Sequence, residues 1–235
     1  MKLPALAVLV ALTACTRKEP PAPALETVAI PAGFFWQGCS PADEQCDAPE
    51  KPGRAVELPA FRIGKLEVTQ QQYERCLSAG RCTAPSADFD PRTRGQYPVT
   101  SVTWFQAVTF CEWAGMRLPT STEWEKAARG SEQGIYPWGD ERPDCMRANA
   151  STKCGYASKP AGSVAGDVSG YGVRDLAGNV EEWVSDWYGS GTTERVVRGG
   201  AFNSDAWHSR TSFQFYALPK QADTFRGFRC AAAAE

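Results

Sequence analysis

The sequence predicts an irregular, loop-rich domain of short helices and strands, and three observations carry that reading. Gly and Pro are abundant, at 21 and 17 residues, and they interrupt long regular elements. Eight Trp supply large side chains on which a loop-rich chain can close a core. Helix and strand periodicity runs only in short windows. The 235 residues suffice for one domain with a sizeable core, and no internal repeat or second domain boundary is visible. The formal net charge of −2 implies no basic face, so nucleic acid is not an expected partner. The single histidine, His208, excludes multi-histidine metal sites and makes any Ser-His-Asp arrangement depend on that residue.

Residues 1–14 read as a signal segment. Lys2 gives a positive start, and Leu3 to Leu12 is an apolar run too short to span a bilayer. The run ends in Leu12-Thr13-Ala14-Cys15, which resembles a bacterial lipobox and implies cleavage before Cys15 and lipidation of its thiol. The expected partner of that end is a membrane, and the expected location is the bacterial cell envelope. Residues 15–27, rich in Pro and Ala, read as a spacer. Residues 28–235 form the expected domain.

Within it, three capping boxes of the form Thr-x-x-Gln/Glu open helices. Thr69 with Gln72 starts a helix that runs toward Gly80. Thr103 with Gln106 starts a second that stops at Gly115. Thr120 with Glu123 starts a third, ending before Gly130. The second should face inward with Trp104, Ala107, Val108, Cys111 and Ala114, the third with Trp124, Ala127 and Ala128. Strands are expected at Phe34–Trp36, Phe61–Gly64, Arg195–Arg198 and Phe228–Cys230. Trp183, Trp187 and Tyr188 read as core aromatics. The stretch from Ala148 to Gly172 has little periodicity and needs support from disulfides or bound ions.

Nine cysteines are present. With Cys15 lipidated, an even set remains, which in an exported chain argues for disulfides; no CxxC spacing favours zinc. Cys39–Cys46, Cys76–Cys82 and Cys145–Cys154 are close in sequence and flanked by turn-forming residues, leaving Cys111 and Cys230.

Several segments, in order, resemble the formylglycine-generating-enzyme, or sulfatase-modifying-factor, family. They are IPAGFFWQGCS, IGKLEVTQQQYERC, YPVTSVTWFQAVTFCEWAGMRLPTSTEWEKAARG, YPWGD, YGVRDLAGNVEEWVSDWY, RVVRGGAF and RGFRCA. The resemblance implies a single α+β domain, a C-type-lectin-like variant low in regular secondary structure. It also implies a buried Cys111–Cys230 bridge.

Active family members use copper, held by two thiolates, and oxygen to oxidise a sulfatase cysteine to formylglycine. The matching stretch here is RGGAFNSDAWHS, with Ser204 and Ser209 at the two cysteine positions and Ala201 at a preceding serine. A hydroxyl oxygen is hard and stays protonated near neutral pH, so it cannot replace a thiolate on Cu(I). Phe225 stands at a family Asn, and Glu181 at the Trp that lines the family's substrate groove. Copper is therefore not expected. Asp205, His208 and Arg210 could form a polar site in this loop, with His208 as a general base if it lies beside Ser204 or Ser209.

The resemblance also implies one calcium ion, bound by the side chains of Asp175 and Glu182 and the carbonyls of Gly178 and Val180. Calcium takes about six to eight oxygens, and Gly178 lets the backbone curl toward an ion. Asn149 and Ala150 match half of a second family site. Its later Asp is Cys154, followed by Gly155 and Tyr156, so the Cys145–Cys154 bridge is expected to staple this loop in place of an ion.

The expected function is a non-catalytic binding, assembly or accessory module with an envelope protein partner. The alternatives are an enzyme of altered oxidoreductase chemistry and, least favoured, a formylglycine-generating oxidase.

Overall fold

The computed structural model describes residues 22–234. The predicted signal segment and Cys15 lie outside the described residues. Of the predicted spacer, Pro23 is buried and Leu25 packs on the core, and Thr27 already belongs to a strand. Among the described residues no helix is long and apolar enough to cross a membrane.

The domain is α+β. Among the described residues nine strands lie at Thr27–Ile30 (β1), Gly33–Gln37 (β2), Arg54–Leu58 (β3), Phe61–Gly64 (β4), Glu181–Trp187 (β5), Arg195–Arg198 (β6), Gln214–Ala217 (β7), Arg226–Phe228 (β8) and Ala231–Ala233 (β9). The α-helices of the described residues lie at Gln70–Ser78 (α1), Trp104–Trp113 (α2) and Ser121–Arg129 (α3). The strands form three sheets, ordered β1-β4-β9, β2-β3 and β7-β6-β5-β8. All pairs are antiparallel except β5 with β8.

Each helix begins at its predicted threonine. Thr69, Thr103 and Thr120 accept from the backbone N–H three residues on, and Gln72, Gln106 and Glu123 reciprocate. Replacing Thr103 with alanine removes one such bond and should lower stability by about 1 kcal/mol, read as a shifted urea midpoint at constant slope.

Among the described residues two large core clusters fill the domain, beside a small one of Ala148, Ala150 and Ala177. One joins α1 and α2 to Trp183 and Phe228, with Tyr73 stacked on Phe110 at 5.6 Å. The other surrounds Trp124, with Ile30, Phe61, Ile63 and Val196. The α2 face includes Phe110, which the sequence reading omitted.

The inward face predicted for α3 is too small. The helix also buries Glu125, Lys126 and Arg129. Lys126 Nζ donates to the carbonyls of Pro31 and Gly33 at 2.8 and 2.9 Å. Glu125 accepts from Arg129 at 2.9 Å, from Arg198 at 2.7 Å and from the Gly38 amide at 2.6 Å. These partners, all but Arg129 distant in sequence, let charged side chains enter the interior.

The predicted Phe228–Cys230 strand is displaced. Phe228 ends β8, and the chain restarts as β9 in another sheet. Trp183 is core, but Trp187 is 52% exposed and is not. The strand register of β5 is irregular between these two residues. Trp187 instead covers the Arg195 guanidinium, which lies 3.4 Å from its ring and 3.8 Å from that of Trp104.

All four bridges are formed: Cys39–Cys46, Cys76–Cys82, Cys111–Cys230 and Cys145–Cys154. Between α3 and β5 the chain holds only a 3-10 turn, Thr152–Cys154, next to the Cys145–Cys154 bridge.

Candidate functional site

The loop after β6 carries the predicted positions. Gly199 and Gly200 both have positive φ, which turns the chain sharply out of the sheet. Ala201 is buried, and its N–H donates to Ser204 Oγ at 2.9 Å. Ser209 is fully buried, and its hydroxyl donates to the Asp205 carbonyl at 3.1 Å. Both hydroxyls are thus tied to the loop's own backbone. The eight cysteines of the described chain are all in bridges.

His208 pairs with neither serine. Its Nδ1 lies 2.7 Å from Asp205 Oδ1, and its ring meets those of Trp207 and Phe213 edge-on. Burial raises the Asp205 carboxyl, but hydrogen bonds from His208 outweigh it and hold the group below the usual carboxylate range. A cavity of about 320 Å³ opens beside this pair, lined by Asp205, Ala206, Lys153 and the Cys145–Cys154 bridge.

Arg210 does not join them. It is fully buried, and its guanidinium pairs with Asp43 at 2.7 Å and with Glu50 at 2.6 and 2.8 Å. It ties this loop to the Cys39–Cys46 region. Asp43, Cys46 and Glu50 form the one group of three metal-ligating residue types found close together among the described residues. Cys46 is disulfide-bonded and both carboxylates face Arg210, so the group is an ion-pair network.

Glu181 forms a largely buried ion pair where the resemblance places a Trp. Its Oε2 accepts from Arg226 at 2.9 and 3.0 Å, and Arg226 also donates to Asp223 at 2.6 Å. Burial pushes the Glu181 carboxyl up, and Arg226 pulls against it. Phe225 is half-buried, with the Arg226 guanidinium 5.5 Å from its ring. The sequence reading missed Arg226 and Asp223, because nothing local marks them as partners of Glu181.

The predicted calcium loops come together. Asn149 bridges Gly178, the Asn179 N–H donates to the Asn149 carbonyl at 2.9 Å, and Asn149 Nδ2 donates to Asn179 Oδ1 at 3.1 Å. A Cβ on Gly178 would lie 2.4 Å from the Asn149 carbonyl oxygen, so only glycine fits there. Asp175, Ala150, Val180 and Glu182 are all buried. Of the carboxylates implied for an ion, Asp175 fits, since its Oδ1 is buried with no hydrogen-bond partner; the Asn149 Oδ1 is likewise orphaned. Glu182 is already engaged by cationic and neutral donors. Both its oxygens accept from Arg229, at 2.6 and 2.7 Å, and Oε2 also accepts from Trp124 at 2.8 Å. Glu67 and Asp167 lie in the same interior, the first accepting from Asn179 and the second from the amides of Leu176 and Ala177. Burial, with Asp175 nearby, pushes the Asp167 carboxyl up to about 8.

Residues 13–234 match the family described as the sulfatase-modifying factor enzyme 1-like domain. The chain belongs to this family. Curated relatives of the sulfatase-modifying factor domain include the formylglycine-generating enzyme of Thermomonospora curvata, 29% identical over 92% of this chain and 96% of that protein. The hercynine oxygenase of Mycolicibacterium smegmatis is 30% identical over 87% of this chain. The chain spans 60% of the length of that relative. Among solved structures, PvdO from Pseudomonas aeruginosa superposes with a TM-score of 0.76 at 23% identity, covering 92% of this chain and 96% of that one. Treponema denticola variable protein 1 gives 0.73 at 21% identity, covering 88% and 95%. These two share the fold of the sulfatase-modifying factor domain.

Proposed function

We propose that this chain is a non-catalytic member of its family, a lipoprotein anchored in the cell envelope through Cys15. Its domain binds or helps assemble an envelope protein, or acts as that protein's accessory subunit. The observation that carries this reading is the state of the two thiolate positions. Ser204 and Ser209 offer hard hydroxyl oxygens, and both are hydrogen-bonded within their own loop. The test is incubation of the purified chain with Cu(I) and a CxPxR-type peptide. The expected result is neither stoichiometric tight copper binding nor aldehyde; either one overturns the reading.

A second reading, an enzyme of altered oxidoreductase chemistry, draws on the Asp205–His208 pair. Asp205 lines the neighbouring cavity and engages Nδ1 of His208, so Nε2 is the ring nitrogen left for proton transfer. The curated relatives named above are enzymes by name, which favours keeping this alternative. Formylglycine formation on sulfatases is the least supported reading.

We also propose one calcium ion at Asp175, with the carbonyls of Gly178 and Val180. The orphaned Asp175 Oδ1 supports it. Glu182, whose Oε1 accepts a single bond from Arg229, keeps a lone pair for the same ion.

A further inference from the structure

The strand β7 forms one edge of the four-stranded sheet, and among the described residues no strand lies on its outer side. Edge strands are usually blunted by a charge, a proline, a bulge or a covering segment, because their unpaired backbone groups accept another strand. The β7 residues Gln214-Phe215-Tyr216-Ala217 include no charge and no proline, and their register with β6 is regular.

The edge is also apolar where solvent meets it. Phe215 and Tyr216 are 44% and 42% exposed, and Leu218, just beyond, is 50% exposed. Their rings continue a ribbon, with Phe213 stacked 6.5 Å from Phe215, Phe215 4.9 Å from Tyr216 and Tyr216 4.5 Å from Tyr188. Exposed aromatics gathered in this way mark a recognition surface.

A cavity of about 420 Å³ lies at the start of the same strand. Gln214 lines one side, and Gln37, Lys51 and Arg54 line the other. Its lining also holds Glu125 and Arg198, which pair at 2.7 Å, and Glu50, which is paired with the buried Arg210. Lys51 and Arg54 are exposed, and neither meets a carboxylate among the described residues. Lys51 and Arg54 are thus the charged side chains of the lining that have no ion-pair partner among the described residues, and both are cationic.

We infer that β7 is a docking site for an extended segment of a partner polypeptide. The segment adds as a further strand beside β7 and places an Asp or Glu side chain in the cavity, against Lys51 and Arg54. Main-chain hydrogen bonds to the edge supply affinity, and the cavity selects one side chain of the alternating set. The inference stands apart from the non-catalytic reading, since an active enzyme could carry the same edge.

The test is selection of random displayed peptides on the full chain. Enriched peptides should alternate in polarity and share an acidic residue at one position. Their binding should slow amide exchange across Gln214–Ala217. Lys51→Glu with Arg54→Glu should weaken that binding by about tenfold or more, at an unchanged melting temperature. Selection on the double variant should enrich a basic residue instead. The inference is overturned by a lack of enriched sequences, by protection confined to residues outside β7, or by unchanged affinity in the double variant. A glycan that binds the rings without slowing the β7 amides also overturns it.

Discussion

Replacing Arg229 with methionine should destabilise the domain by roughly 3–5 kcal/mol, the range for a buried ion pair that loses one partner. Arg229 is fully buried and forks onto both oxygens of Glu182. Its remaining donors reach the carbonyls of Gly64 at 3.1 Å, Arg174 at 2.9 Å and Asp175 at 2.9 Å. Around it stand Glu67, Asp167 and Asp175, so one guanidinium serves an interior of four carboxyls. Methionine fills the space and leaves Glu182 charged against its neighbours. Arg229→Lys should recover little, because an ammonium cannot fork onto a carboxylate and reach three carbonyls together. Urea denaturation with the disulfides intact measures both variants, and a loss below about 1 kcal/mol for the methionine variant would sink this account of the interior.

The second large effect is a decline of stability with rising pH. Burial pushes Asp167 up to about 8 and Asp175 up to about 6. Glu67 is raised well above its ordinary value by burial and then by Asp175 and Glu182. These carboxyls hold protons in the folded state that the unfolded chain releases near pH ~4. Their contribution is therefore complete below the unfolded value and is lost as pH rises through the folded values. Without added metal, stability at pH 5 should exceed that at pH 8 by roughly 2–4 kcal/mol, and Asp167→Asn should flatten the part of the curve between about 6 and 8. Calcium enters the same experiment. An ion on Asp175 favours the ionised carboxylate, so millimolar calcium at pH 8 should raise the melting temperature and reduce the decline. No thermal shift with calcium would reject the ion while leaving the proton linkage intact. A flat profile in chelator would reject the linkage itself.

What could be read from the sequence was local. The Thr-x-x-Gln/Glu boxes marked all three helices, because a cap and its reciprocal partner lie within four residues. The three short bridges were legible for the same reason. Pairings across the chain could not be read. Arg210 looked like a neighbour of His208, but its partners Asp43 and Glu50 lie about 160 residues away in sequence. The pairing of Glu182 with Arg229 could not be read either, since only the fold brings the two together. Trp187 looked like core at the spacing of Trp183, yet an irregular β5 turns it onto Arg195 and solvent. Burial of Lys126 depended on the carbonyls of Pro31 and Gly33, which no pattern in α3 announces.

The sheet order β1-β4-β9 has a consequence for the time course of folding. β4 lies between the first strand of the domain and the last, so its sheet cannot be completed until residues 231–233 have been made. Cys111 waits in the same way for Cys230, 119 residues later. As the chain emerges N-terminus first, the three short bridges can close one after another within their own segments. The Cys111 thiol meanwhile remains open to exchange with each bridge formed before its partner arrives. Maturation of this domain is thus a late, cooperative event with a built-in period of thiol exposure, in which a disulfide isomerase would have the most to correct.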